Sequence, residues 1–380
     1  MNKTIYFDHA ATTKLNEKVL EKMLPFFILE YGNPSSIYSL GRNSKRAIED
    51  ARAKVAKAIN AKPNEIYFTG SGSESDNLAI KGIARRLKEK GNHIITSKIE
   101  HHAILNSCKS LEKEGFQVTY LNVDNEGLIN LAELEIAINE KTILISIMAA
   151  NNEIGTIEPI KEIGKIAKKH NIYFHTDCVQ AIGNILIDVK QMNIDSLSMS
   201  AHKFYGPKGV GALYVKETVP FLKIQDGGHQ EMDKRAGTEN VAGIVGLGEA
   251  IEIAYKDFEK NNKKLLELRN YFICELNKNI SDVKLNGHKD YRLPGNVNVA
   301  FKNIIGGDLL FKLDEIGICV SSGSACNSKS NQPSHVLLAI GLEPEYLQGS
   351  LRTTFGKENT KAEIDYLIQN LKRIVEECRK

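Results

Sequence analysis

The sequence has almost no net charge, no long apolar run and no closely paired cysteines, and each absence removes a class of function. Its 50 lysines and arginines nearly balance 47 acidic residues, for a formal charge of +3. The basic residues are scattered, so no surface for nucleic acid or anionic lipid is expected. No apolar stretch is long enough to span a bilayer, and Met1–Asp8 lacks the hydrophobic region of a signal peptide, which predicts a cytoplasmic protein without a membrane partner. The six cysteines (108, 178, 274, 319, 326 and 378) contain no Cys-x-x-Cys pair, which argues against a structural zinc site or a dithiol centre. In a reducing compartment they are thiols. Small-molecule chemistry is what is left.

At 380 residues, with 42% hydrophobic and 26% charged residues, the chain exceeds the usual size of a single core, and two domains are expected. Short β-branched and aromatic runs at 65–69, 93–98, 117–123, 142–149, 172–176, 196–200 and 211–215 alternate with amphipathic stretches such as 160–170, where Pro159 fits a first turn. The alternation predicts an α/β domain on a mainly parallel sheet. Beyond it come a long charged helical stretch at about 245–279, a strand at 296–301, a helix near 308–316 and a closing helix. That last helix opens on a Thr360-x-x-Glu363 capping box and is lined by Ile364, Leu367, Leu371, Ile374 and Cys378. This part reads as a smaller α+β lobe in which Cys274, Cys319 and Cys378 belong to the core.

Polar clusters follow the strand candidates: Gly70-Ser71-Gly72-Ser73, Glu100-His101-His102, Asn151-Asn152-Glu153-Ile154-Gly155, Asp177 and His202-Lys203. Ligands of open α/β sheets bind beyond the carboxyl ends of strands, so these clusters predict one shared site. The Gly-Ser loop, before a helix starting near Glu74, suits an anion such as phosphate, although such turns are also common without a ligand. Asp177 ends an apolar run; it is either a partner for a cation such as a protonated pyridine nitrogen or the cap of the next turn. Lys203, at a strand end before a Gly-Pro turn, is a candidate amine nucleophile among many solvated lysines. His101-His102 and His175-x-Asp177 lack metal-ligand spacing, and ordinary polar or stacking roles are expected.

Five strings make the reading specific: Asp8-His9-Ala10-Ala11-Thr12-Thr13, Asn151–Gly155, Ser200-Ala201-His202-Lys203-Phe204-Tyr205-Gly206-Pro207-Lys208-Gly209, Arg235-Ala236-Gly237-Thr238-Glu239-Asn240 and Ser321-Ser322-Gly323-Ser324-Ala325-Cys326. Together they closely resemble the cysteine desulfurases of the nitrogen-fixation and iron–sulfur-cluster type. The resemblance implies a fold-type I, pyridoxal-phosphate-dependent transferase. Its large domain (15–260) would be built on a mainly parallel seven-stranded sheet, and its smaller α+β domain (1–14 and 261–380) would carry a cysteine loop at about 321–333. It further implies a homodimer. Lys203 would hold the cofactor as a Schiff base, Asp177 would face the ring nitrogen, His101 would stack on the ring and Gln180 would contact its hydroxyl. Gly72, Ser73, Ser200 and His202 would bind phosphate, with Thr238 reaching across from the other subunit. Asn152 would touch cofactor and substrate, and Arg352 would clamp the substrate carboxylate.

By the same resemblance, Lys203 takes the α-proton of L-cysteine, Cys326 attacks the substrate sulfur to become a persulfide, and alanine leaves. The sulfur would pass to an iron–sulfur scaffold or a tRNA thiolase. No resident metal is implied, Cys326 serving at most as a transient iron–sulfur ligand. A selenocysteine lyase or another pyridoxal phosphate enzyme of this superfamily is the alternative, and a silent docking subunit a second one. Two departures stand out: Met232-Asp233 replaces the usual Arg-Gly, unsettling that loop's geometry, and Ser73 replaces threonine while keeping the hydroxyl. Cys178 stands where alanine is common, beside Asp177, as a conceivable second reactive thiol.

Overall fold

The computed structural model describes residues 4–322 and 333–379. Its strands, in chain order, are β1 (Ile5–Tyr6), β2 (Ile66–Thr69), β3 (His93–Ser97), β4 (Gln117–Leu121), β5 (Thr142–Ser146), β6 (Tyr173–Asp177), β7 (Ser196–Ser200), β8 (Gly211–Val215), β9 (Val283–Asn286), β10 (Asn296–Phe301), β11 (Ile318–Cys319) and β12 (Ser350–Thr354). Seven of them form one sheet in the order β2-β8-β7-β6-β5-β3-β4. Only β8 runs against its neighbours; the other pairings are parallel.

Both faces of this sheet are covered, so β2, β5 and β8 read as largely apolar runs, whereas β7 alternates serine with Leu197 and Met199. Ile66, Phe68, Ile95, Ile145, Phe174, Leu197 and Tyr214 face a core filled by helices Ser39–Ala58, Ile160–Lys169 and Val241–Lys256. The intervening Tyr67, Ile94, Leu144, Leu213 and Val215 point the other way, against helices Gly72–Leu87 and His102–Glu112. A period of two thus divides most of these strands between two cores.

A separate core gathers around the antiparallel sheet β12-β10-β9. Val297, Val299, Phe301 and Leu351 pack there with Leu268 and Phe272, with Leu309 and Leu313 of helix Gly306–Glu315, and with Ile364, Leu367, Leu371 and Ile374 of the closing helix Lys361–Cys378. The capping box forms as expected, Thr360 and Glu363 each accepting from the other's backbone N–H. The N-terminal segment joins this region: β1 pairs with β11, and Phe7 is fully buried in the same core. Among the described residues no helix is long and apolar enough to cross a membrane.

Two expectations need correction. The stretch 245–279 is two helices, Val241–Lys256 and Phe258–Asn279, meeting at Asp257. The first lies on the large sheet and the second on the small one, so the buried direction changes and one straight helix cannot serve both. Cys274 is exposed and Cys319 is half-buried, while half-buried Cys378 does pack against the smaller core as expected; Cys108 and Cys178 are fully enclosed. On Phe258–Asn279 the buried stripe is Leu265, Leu268, Phe272 and Leu276; Cys274, two residues from each of the last two, falls about 200° away around the axis.

Candidate active site

At the carboxyl ends of the central strands lies a cavity of ≈ 280 Å³. The turn after β2 brings Gly72 and Ser73, β3 is followed by His101, β5 by Asn152, β6 ends in Asp177 with Gln180 in the turn beyond, and β7 ends in Ser200, His202 and Lys203. All of these line the cavity, as does Arg352 of β12. The predicted convergence is therefore present.

One end of the cavity is built for an anion. Helix Gly72–Leu87 begins two residues earlier than expected because Ser71 is its cap, accepting from Glu74 N at 3.2 Å. Gly72 and Ser73 thus contribute first-turn N–H groups, which have no partner inside a helix. The loop is held from behind: Gly70 N–H donates to Glu74 Oε2 at 2.7 Å, and Arg235 Nε donates to Glu74 Oε1 at 2.8 Å. A side chain at Gly72 would place Cβ 2.6 Å from Val179 Cγ2 and 3.3 Å from Ser200 Cβ. Only glycine lets this turn approach the strand ends so closely.

The other end carries a buried charge. Asp177 Oδ1 accepts Val179 N–H at 2.8 Å, so the capping reading is right, and the residue also lines the cavity. Burial pushes its carboxyl up to about 6, opposed by the Val179 N–H and the Lys203 charge. His101 caps helix His102–Glu112 through Nδ1, which accepts Ala103 N–H at 3.1 Å. Its ring is neutral with the proton on Nε2, since burial, then His102, Lys203 and His335, push it down to about 4. His202 is likewise held to about 4 by burial and Lys203, and its Nδ1 meets Thr12 Oγ1 at 3.1 Å.

Lys203 Nζ donates to the carbonyls of Ala10 and Ala11 at 2.5 and 2.7 Å. The N-terminal motif thereby closes the cavity. Gln180 Nε2 donates to Ala10 O at 3.0 Å, Thr13 N–H donates to His202 O at 2.9 Å, and Asp8 pairs with Arg352 Nη2 at 2.7 Å. Arg352 is 1% exposed, gives Nη1 to Asn152 O at 3.0 Å, and has no hydrogen-bond partner for its Nε among the described residues. A carboxylate entering the cavity finds Nε open and competes with Asp8 for Nη2.

Some expected residues lie elsewhere. Thr238 is exposed and does not line this cavity. Cys326 lies outside the described residues, as does most of the 321–333 loop. The loop with Met232-Asp233 is also outside the cavity. Glu231, Met232 and Asp233 take left-handed φ of 46°, 56° and 62°, an uncommon conformation for side-chain-bearing residues. Buried Glu231 anchors them by accepting from Arg52 Nη1 at 2.7 Å, Arg52 Nη2 at 2.9 Å and Phe68 N at 2.7 Å. Cys178 is fully buried, and burial beside Asp177 pushes its thiol well up, so it is not a second reactive thiol. His175 has the ordinary polar role expected, bonded to Ser146 and Ser198. Sequence reasoning missed Asp8 and Asp76 as site residues; Asp8 stood in a quoted motif without a role, and Asp76 was hidden in a polar helix start.

A parallel sheet flanked by helices, with lysine, aspartate, histidine and a glycine-tight anion cradle at its strand ends, defines a fold-type I protein. The chain belongs to the aminotransferase class-V family, whose model matches residues 5–367. It is 58% identical over 381 residues to the "Cysteine desulfurase IscS" of Clostridium botulinum (strain Hall), covering 100% of this chain and 96% of that protein. Among solved structures it resembles a "NifS-like protein" with a TM-score of 0.93 at 39% identity, covering 98% of this chain and 100% of the other. It also resembles "SspA in complex with cysteine", with a TM-score of 0.84 at 40% identity, covering 94% and 100%.

Proposed function

We propose that the protein is a pyridoxal-phosphate-dependent cysteine desulfurase. The observation that carries this reading is the convergence of Lys203, Asp177, His101, Arg352 and the Gly72 cradle on one cavity. The donor set fits the cofactor: helix N–H groups with Ser73, Ser200 and His202 for its phosphate, Asp177 for its ring nitrogen, His101 for its ring face, Gln180 for its hydroxyl and Lys203 for covalent attachment. Asn152 contacts both cofactor and substrate, and Thr238 completes the phosphate site from a second copy in a homodimer. When bound, pyridoxal phosphate supplies an electron sink for the pair left as the α-proton departs.

The protein's own residues do the rest. Arg352, buried and with Nε unpaired among the described residues, receives the carboxylate of L-cysteine, which competes with Asp8 for the guanidinium. The amine of Lys203 takes the α-proton. The Cys326 thiolate attacks the substrate sulfur: an S–S bond forms, the C–S bond breaks, a persulfide is left on Cys326, the β-carbon takes a proton, and Lys203 returns a proton to the α-carbon so that alanine leaves. The relative from Clostridium botulinum and the cysteine-bound structure support this substrate. The persulfide is donated to a sulfur acceptor such as an iron–sulfur scaffold or a tRNA thiolase, in the cytoplasm. Residues 15–260 form the cofactor domain and 1–14 with 261–380 the smaller one.

The test is release of alanine and sulfide from L-cysteine with a reductant present. Equal amounts from the wild type, and almost no sulfide from cofactor-loaded Cys326→Ser, are expected. Equal turnover by both proteins would remove Cys326 as sulfur acceptor and move the reading to a selenocysteine lyase or another pyridoxal phosphate enzyme of the superfamily.

A further inference from the structure

Beside Asp177 the cavity holds a second carboxylate. Asp76, on helix Gly72–Leu87, lines the cavity, is 1% exposed, and has no hydrogen-bond partner for Oδ1 among the described residues. Its carboxyl lies within reach of the Ser198 hydroxyl, which favours the ionised form. The Ser198 hydroxyl in turn meets His175 Nε2 at 3.1 Å, and His175 Nδ1 meets Ser146 Oγ at 2.9 Å. A buried chain of polar groups therefore runs under the site, from the helix to β6 and β5.

The groups around Asp76 decide its charge. Asp177 and Glu100 are carboxyls and oppose a second negative charge. His175 Nε2 is 3.8 Å from Asp76 Oδ1, but burial holds that ring neutral, down to about 3, so it supplies no counter-charge. Lys203 and the Val179 N–H both favour ionised Asp177, whereas Ser198 is what favours ionised Asp76. Two carboxyls sharing a buried site do not both ionise; one keeps the proton.

We infer that Asp76 keeps its proton through the neutral range and acts as a positioning residue, a neutral hydrogen-bond donor beside Asp177, which alone carries the negative charge at these strand ends. The protonation stands on the protein's own geometry; its consequence for cofactor binding rests on the pyridoxal phosphate reading.

The experiment compares wild type, Asp76→Asn and Asp76→Ala. In the infrared difference spectrum of the cofactor-free protein at pH 7, wild type minus Asp76→Asn, loss of a protonated-acid C=O band is expected; loss of carboxylate bands instead would overturn the proposal. In absorbance titrations with pyridoxal phosphate, Asp76→Asn keeps the dissociation constant within about threefold, because the amide still donates. Asp76→Ala raises it about tenfold or more, as expected for the loss of one buried hydrogen-bonding group. An asparagine variant that binds as poorly as the alanine variant would refute the neutral-donor role. Should Asp76→Ala fail to fold, the infrared arm and the asparagine titration still decide. If no protein binds pyridoxal phosphate, the cofactor reading fails while the infrared arm still tests Asp76.

Discussion

Gly72→Ala is the sharpest perturbation of the anion cradle. The new Cβ would sit 2.6 Å from Val179 Cγ2 and 3.3 Å from Ser200 Cβ, well inside the contact distance of two carbons, about 3.5–4.0 Å. The strand ends are buried and close-packed, so relief requires the Ser71–Ser73 turn to retreat by about 1 Å. Gly211 marks a second close approach to the same turn, since a Cβ there would meet Met199 O and Ser71 C at 2.7 Å. Overpacking of this kind costs about 1–3 kcal/mol. Because the displaced N–H groups are those offered to the phosphate, that energy falls on the loaded state and weakens pyridoxal phosphate binding roughly five- to 150-fold. The assay is an absorbance titration of cofactor-free protein, with thermal melting to confirm folding. Gly307→Ala serves as control, since nothing lies within 4 Å of its Cβ. A folded Gly72→Ala protein that binds within twofold of wild type would refute the cradle.

Glu158 gives a pH test. It is 2% exposed, and burial pushes its carboxyl from 4.5 up to about 8. The folded state therefore holds this proton more tightly than the unfolded chain. That stability is complete below about pH 4.5 and is lost as the pH rises through about 8, where the loss reaches roughly 4 kcal/mol. In urea unfolding, Glu158→Gln should gain on wild type steadily between these limits; parallel pH profiles would refute the assignment. Thiol reactivity tests the burial pattern in a Cys326→Ser background. A probe should label exposed Cys274 first and spare Cys108 and Cys178 until unfolding, since burial raises both thiols, Cys108 to about 12. Early labelling of Cys178 would contradict the packing beside Asp177.

Much of this architecture was legible because burial on both faces favours short runs rich in apolar, β-branched or aromatic residues in most strands of the sheet. The seven runs of the central sheet appear within three residues of where composition puts them, and the polar clusters at their ends mark the cavity. Legibility failed where tertiary context overrides local pattern. Gly72 is a poor helix former, yet it is the first residue of its helix, because the close approach to Val179 outweighs propensity. The apolar period through 245–279 could not reveal that its two halves serve different cores. Strands β1 and β11, two residues each, carry no periodicity to detect. Asp76 resembled any acidic residue of a first helical turn; only the fold turns it toward Asp177.

The most direct test of the central claim is to reduce the cofactor-loaded protein with borohydride and locate the modified lysine by peptide mass. The account predicts a single pyridoxyl label on Lys203 and its absence in Lys203→Ala. A label on another lysine, or undiminished labelling of Lys203→Ala, would contradict it.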